Sequence, residues 1–254
     1  MMKHVLRLHI VGRWKRLLLI FLLSGAAVSV FPPVYIPISA VPSLLDWLLE
    51  VSGSLLVIAF FAGLSVTLLC FDTTQWLWTP FGTASLARIS KRSTLFWAYI
   101  TLGTSIAAYV VIILIFWSIV IGYFKFGGYA HANSHPFFQL TDSPFWFVVS
   151  RWFIDWWCLC FIVFLGMAGA FIMKKVLISF MLSLGWSFGI TGLFKANISS
   201  KGLIPGEGMI LSVHAYGADP LIVMLSNECA VLLLWFVFYR IIVQTNLVMP
   251  RADR

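Results

Sequence analysis

Apolar residues fall in long, nearly charge-free runs at 17–37, 52–71, 96–124, 145–173, 176–194 and 229–248. Each is near the roughly 20 residues that a helix needs to cross a bilayer. The pattern predicts an all-α integral membrane protein of about six transmembrane helices. The first run ends in Pro32, Pro33 and Pro37, which would kink or stop a helix. The third reaches roughly 43 Å at 1.5 Å per residue, so it must tilt or project into the headgroups. Only Lys174-Lys175 separates the fourth run from the fifth.

The polar stretches differ in character. Residues 1–16 have Val5, Leu8 and Val11 at three-residue spacing among Lys3, Arg7, Arg13, Lys15 and Arg16. This predicts a basic interfacial helix, with a disordered basic tail as the plainer alternative. The segment 72–95 holds a break at Thr79-Pro80 and then a short basic helix that Thr83 or Ser85 can cap. The longest connection, 195–228, is not strongly polar. Leu203-Ile204-Pro205-Gly206, Met209-Ile210-Leu211 and Leu221 to Leu225 would sit poorly in open water. Part of this connection is expected to dip back into the membrane, covered by protein or facing water. The chain thus divides into an interfacial segment 1–16, a transmembrane domain 17–248 and a tail 249–254.

Composition agrees with this pattern. Of 254 residues, 61% are hydrophobic and 10% charged, where a soluble domain carries about a quarter charged residues. No stretch is long enough for a soluble ATPase. The net charge of +8 would suggest nucleic acid in a soluble protein, but here it reads as Lys- and Arg-rich inner loops and implies no nucleic-acid partner. With the N-terminus inside, 13 of the 17 basic residues fall on the inner side, leaving Lys125, Arg151, Lys195 and Lys201 outside. Asp46, Glu50, Asp142, Asp155, Glu207, Asp219 and Glu228 also fall outside. Both termini are therefore expected in the cytoplasm, which requires an even number of spans. Lys3 to Arg16 followed by an apolar run mimics a signal peptide, but the weak site at Ser39-Ala40 favours an uncleaved first helix. Cys70, Cys158, Cys160 and Cys229 lie in or beside apolar runs without CxxC spacing and read as buried thiols.

Candidate chemistry is sparse. His131 and His135 are four apart, but GGYAHANSHPFF has too many helix breakers to align them with confidence on one face. With His214 they form only a weak candidate for a metal or proton site, and loop histidines are the plainer reading. No histidine falls in mid-span, which disfavours a haem between helices. Gly185-Trp186-Ser187-Phe188-Gly189 spells G-x-S-x-G, yet a nucleophile elbow needs a strand-turn-helix context. Small residues on a helix-packing face are the better reading there, and at Gly166, Ala168, Gly169 and Ala170. Walker-type and dinucleotide loops are missing.

Arg151 and Asp155, four apart near the outer start of the fourth run, read as a structural pair. Trp146, Trp152, Trp156 and Trp157 around them read as an interfacial belt, with guidance of an amphipathic substrate as the functional alternative. Convincing mid-membrane charges are lacking, which weakens an ion-coupled carrier.

The layout resembles the membrane subunit of an ABC transporter of the ABC-2 export type. Thr79, Pro80, Arg88 and Lys91 carry that match in LWTPFGTASLARISKRS, an apolar stretch, a break and a basic helix. The resemblance implies an elbow helix at Lys3 to Arg16, a coupling helix within Gln75 to Arg92, and a re-entrant outer segment at 195–228. It also implies a permease that performs no covalent chemistry and holds no cofactor of its own. A separate cytoplasmic subunit would bind ATP and Mg, and a second permease subunit would complete a homo- or heterodimer in the lipid bilayer. Arg88, Lys91 and Arg92 would dock on the ATPase, or merely hold the loop on the inner leaflet. A bacterial cytoplasmic (inner) membrane suits the short loops and basic inner face. The other classes left open are a membrane-embedded enzyme using the outer histidines and a non-catalytic subunit of a membrane complex.

Overall fold

The computed structural model describes residues 14–30, 43–54, 68–69, 92–126, 143–173, 176–195, 203–205 and 220–244. These residues form six helices and no strand: α1 (Trp14–Val30), α2 (Leu44–Gly53), α3 (Arg92–Phe126), α4 (Pro144–Met173), α5 (Val176–Lys195) and α6 (Pro220–Gln244). Stretches of α3, α4 and α6, at Ser93–Phe126, Pro144–Gly169 and Ile222–Ile242, are long and apolar enough to cross a membrane. The 35 residues of α3 extend about 52 Å, well beyond a hydrocarbon core of about 30 Å.

Local sequence explains the helix starts. Pro144 is the first residue of α4, and Phe147 N–H donates to the Ser143 carbonyl at 3.1 Å. Proline suits that position because its missing N–H has no partner to lose. Pro220 opens α6 in the same way, nine residues before the expected start at 229. The apolar stretch 221–225, expected in the connection, is thus the first part of a helix. At the other end of the chain, Trp14, Lys15 and Arg16 belong to α1 rather than to a separate interfacial helix, while 1–13 lie outside the described residues. The helix α2 was not anticipated. Ser43 accepts from Asp46 N–H at 3.1 Å, and Asp46 Oδ2 accepts from Ser43 N–H at 2.8 Å, a reciprocal cap that starts the helix.

Hydroxyl groups inside the helices are satisfied by the preceding turn. Ser24 donates to Ile20 O at 2.6 Å, Ser118 to Leu114 O at 2.6 Å and Ser187 to Ser183 O at 2.9 Å. In an apolar medium this removes the cost of an unmet donor.

The central element is α4, which packs against α2, α3, α5 and α6. The contacts give each helix a direction. Gly103 of α3 faces the Phe164 ring, and Tyr99 meets Phe171, so α3 and α4 are antiparallel. Phe161 meets Trp186, and Gly169 is filled by Leu182 and Ile178, so α5 is also antiparallel to α4. Phe164 meets Trp235 and Phe171 meets Phe238, so α6 runs parallel to α4. Tyr109 donates to Leu17 O and Trp117 Nε1 to Phe21 O, which makes α1 parallel to α3.

Gly122 of α3 faces Leu44 and Trp47 of α2, and Lys125 Nζ sits 4.5 Å from the centre of the Trp47 ring. This places α2 at the opposite end of α3 from Arg92. Between α5 and α6, Trp186 Nε1 donates to Pro205 O at 2.9 Å. Trp186 lies nine residues before the end of α5 at Lys195, about 14 Å along the axis. The chain at Pro205 has therefore turned back along α5.

Candidate functional site

Two places hold charged or strongly polar groups inside the apolar stretches of α4 and α6. The first is on α4. Arg151 Nη2 lies 3.2 Å from Asp155 Oδ1, and the side chains are only 2% and 5% exposed. A charge at the bilayer centre costs about 2.5–3.5 kcal/mol on insertion scales, and pairing offsets part of that. Apart from that ion pair, neither carboxylate oxygen of Asp155 nor the buried indole Nε1 of Trp152 has a hydrogen-bond partner among the described residues. The sequence suggests a pair near the end of a span. In the fold, Asp155 stands eleven residues beyond Pro144 in the apolar stretch Pro144–Gly169, close to its middle. Nine residues, or two and a half turns, separate Asp155 from Phe164, so the pair faces away from α6.

The second place is on α6. Asn227 is fully buried and its Nδ2 donates to Trp157 O at 2.9 Å. Glu228 is exposed and has no ion-pair partner among the described residues. The sequence reading puts Glu228 in the connection before the sixth span. The earlier start of α6 puts it six residues inside the apolar stretch Ile222–Ile242 instead. Glu228 is eleven residues, or three turns, before Tyr239, whose ring meets Phe96 of α3 at 5.5 Å. It therefore faces the α3 side of α6.

Aromatic rings cluster on α4 around Trp156. Phe153 and Trp156 have ring centroids 5.5 Å apart, and Trp156 and Trp157 5.6 Å apart. Phe153 is exposed, and the two tryptophans are half-buried. Trp156 Nε1 donates to Thr104 O of α3 at 3.4 Å, at the weak end of the hydrogen-bond range. The Asn227 bond sets Asn227 level with Trp157 of α4.

The chain matches no family model, no curated protein and no solved structure. The functional reading rests on the geometry.

Other residues singled out by sequence fall elsewhere. Thr79, Pro80, Arg88, Lys91, His131, His135 and His214 lie outside the described residues, and Arg92 opens α3. Among the described residues, no three His, Cys, Asp or Glu side chains gather closely enough to hold a metal. Ser187 sits within a continuous helix and its hydroxyl is committed to the turn before it. Its flanking glycines were expected on a packing face. A Cβ at Gly185 or Gly189 would meet nothing within 4 Å, so neither packs closely against the described residues. The close-packing glycines among the described residues are Gly25, Gly103, Gly122 and Gly169. Cys158 and Cys160 are buried as expected, but Cys229 is exposed on α6.

Sequence reasoning missed four buried or mid-helix groups. The motif Ser43-x-x-Asp46 signals a helix start that would have placed Asp46 and Glu50 on α2, where both are buried. Pro220, read as a first helical residue, would have put Asn227 and Glu228 inside α6. The arrangement offers an internal ion pair on α4 and an exposed carboxylate on α6.

Proposed function

We propose that this chain is the membrane subunit of an ATP-driven exporter of the ABC-2 type, moving an amphipathic or hydrophobic substrate such as a peptide, a lipid-linked compound or a toxin. The observation that carries this reading is the return of the chain along α5 at Pro205, held by Trp186. A re-entrant connection between the fifth and sixth spans is what the ABC-2 resemblance implies there.

A second feature supports it. With α1 parallel to α3 and α2 at the far end of α3 from Arg92, the chain must return along the bundle before α3 begins. In this reading the apolar run 52–71 makes that crossing, for six spans and both termini on one side. The basic asymmetry sets that side as the cytoplasm of an inner membrane. In this reading Thr79, Pro80, Arg88, Lys91 and Arg92 engage a cytoplasmic ATPase that binds ATP and Mg. A second permease subunit completes the pathway, and this chain carries out no covalent step.

The test is a mild-detergent pull-down of the tagged chain from its native membrane, with mass spectrometry of its partners. A stoichiometric soluble ATPase is expected, and replacing Arg88, Lys91 and Arg92 by Glu should release it. Absence of an ATPase, under conditions that preserve other membrane complexes, overturns the reading.

The acids at mid-helix favour a second reading, an ion-coupled carrier. It predicts substrate uptake into vesicles driven by an ion gradient alone, lost in Glu228→Gln or Asp155→Asn. Flux that needs ATP and the partner would exclude it.

A further inference from the structure

Helix directions gather one sign of charge at one end of the bundle. Tyr239, near the end of α6, meets Phe96, near the start of α3, and Phe238 meets Phe171, near the end of α4. With α5 antiparallel to α4, the starts of α3 and α5 and the ends of α4 and α6 share one end. Arg92 opens α3 there, Arg240 lies one turn before the end of α6, and only Lys174-Lys175 separates α4 from α5. The four acids among the described residues, Asp46, Glu50, Asp155 and Glu228, all lie toward the other end. Of the nine acids in the sequence, only Asp72 and Asp253 are expected on this basic side.

Arg240 heads an exposed stripe on α6. Phe236, Leu233 and Cys229 follow it at steps of four, three and four residues, which keeps all four on one face, and each is exposed. The Arg240 guanidinium lies 5.9 Å from the centre of the Phe236 ring, so the cation rests on the first ring of the stripe. Toward α3, Tyr239 and Trp97 are also exposed, and Phe96 links them by edge contacts of 5.5 and 5.3 Å. Tryptophan and tyrosine rings settle at headgroup level. From Arg240 to Cys229 the stripe runs about 16 Å, the depth of one leaflet in a hydrocarbon core of about 30 Å.

A cation at headgroup level, with an apolar stripe one leaflet deep behind it, is complementary to a phospholipid. The guanidinium fork matches a phosphate. A lipid of net negative charge gains further from the other cations at this end, whereas choline cancels the charge of its own phosphate. We propose that this face of α6 seats one anionic phospholipid, with its phosphate on Arg240 and an acyl chain along Phe236, Leu233 and Cys229. Tyr239 and Trp97 bound the seat on the α3 side. The seat does not depend on the exporter reading.

The purified full chain in mild detergent is titrated with phosphatidylglycerol and, separately, with phosphatidylcholine of the same acyl chains, and bound lipid is counted by native mass spectrometry. One phosphatidylglycerol per chain is expected at a concentration at least tenfold below that at which phosphatidylcholine binds. Arg240→Gln should weaken that binding at least tenfold, Arg240→Lys should retain part of it, and Phe236→Ala should weaken it several-fold. Lys125→Gln, at the opposite end of the bundle, should leave it unchanged. Arg240 and Phe236 are exposed, so each variant should keep its helix content, which circular dichroism checks. Equal binding of the two lipids, or Arg240→Gln binding phosphatidylglycerol as well as the wild type, overturns the seat. A disulfide between two copies through Cys229, formed on oxidation in the native membrane with Cys229 as the sole cysteine, would put a second chain on this face and also overturn it.

Discussion

A Cβ added to Gly103 would come within 2.6 Å of the Phe164 ring, which is 1% exposed and has no room to withdraw. Gly103→Ala should therefore destabilise the α3–α4 contact by about 1–3 kcal/mol, as overpacking does. The check is a lower melting temperature in detergent. Gly189→Ala is the matched control. Its Cβ meets nothing within 4 Å, so it should be neutral or stabilise α5 by up to about 1 kcal/mol through helix propensity. The same scale governs Arg151 and Asp155. Arg151→Met leaves a buried carboxylate without its cation and should cost about 3–5 kcal/mol, as should Asp155→Leu. The double variant should recover most of that loss, because it removes both charges. Equilibrium unfolding of the four proteins as a double-mutant cycle tests this, and strictly additive losses would show that the two groups do not interact.

Among the elements, α4 and α6 differ most in their surroundings. In the most apolar stretch of α4 67% of residues are buried, against 22% for α6, so α4 is the pillar and α6 a peripheral helix. This is why α6 can present a carboxylate outward while α4 can hold one only as half of a pair. The 203–205 stretch is joined to α5 by the indole of Trp186. Trp186→Phe keeps the ring contact with Phe161 and removes only the donor. It should cost about 1 kcal/mol and raise amide exchange around Leu203 and Ile204, with α3 and α4 unchanged. Unaltered exchange at those residues would show that the bond does not hold the segment. The helix spans were legible in sequence where charge bounds them. The apolar runs at 145–173 and 176–194 match α4 and α5 within one residue at each end. The sixth was not, because the apolar stretch 221–225 was assigned to the connection, whereas Pro220 opens the helix.

For the whole molecule, the directions of α1 and α3 are the strongest constraint. Both run the same way, and α2 lies at the far end of α3 from Arg92. Single cysteines at Ser54 and Ser93, in a chain otherwise freed of cysteine, should react with a membrane-impermeant maleimide from opposite sides of sealed vesicles. Labelling of both from one side would remove the crossing between α2 and α3. The amino-acid sequence by itself determined that this chain is helical and membrane-embedded, because apolar run length and the near absence of charge are local properties. It also marked Arg151 and Asp155 as a pair, since four-residue spacing alone brings them together. Only the tertiary structure decided which faces meet. The burial of Arg151 and Asp155 away from α6, the open flanks of Gly185 and Gly189, and the bond from Asn227 to the Trp157 carbonyl all depend on helix rotation and register. Those are set by packing between residues far apart in the chain, where almost every side chain is apolar and hydropathy cannot tell an inward face from an outward one.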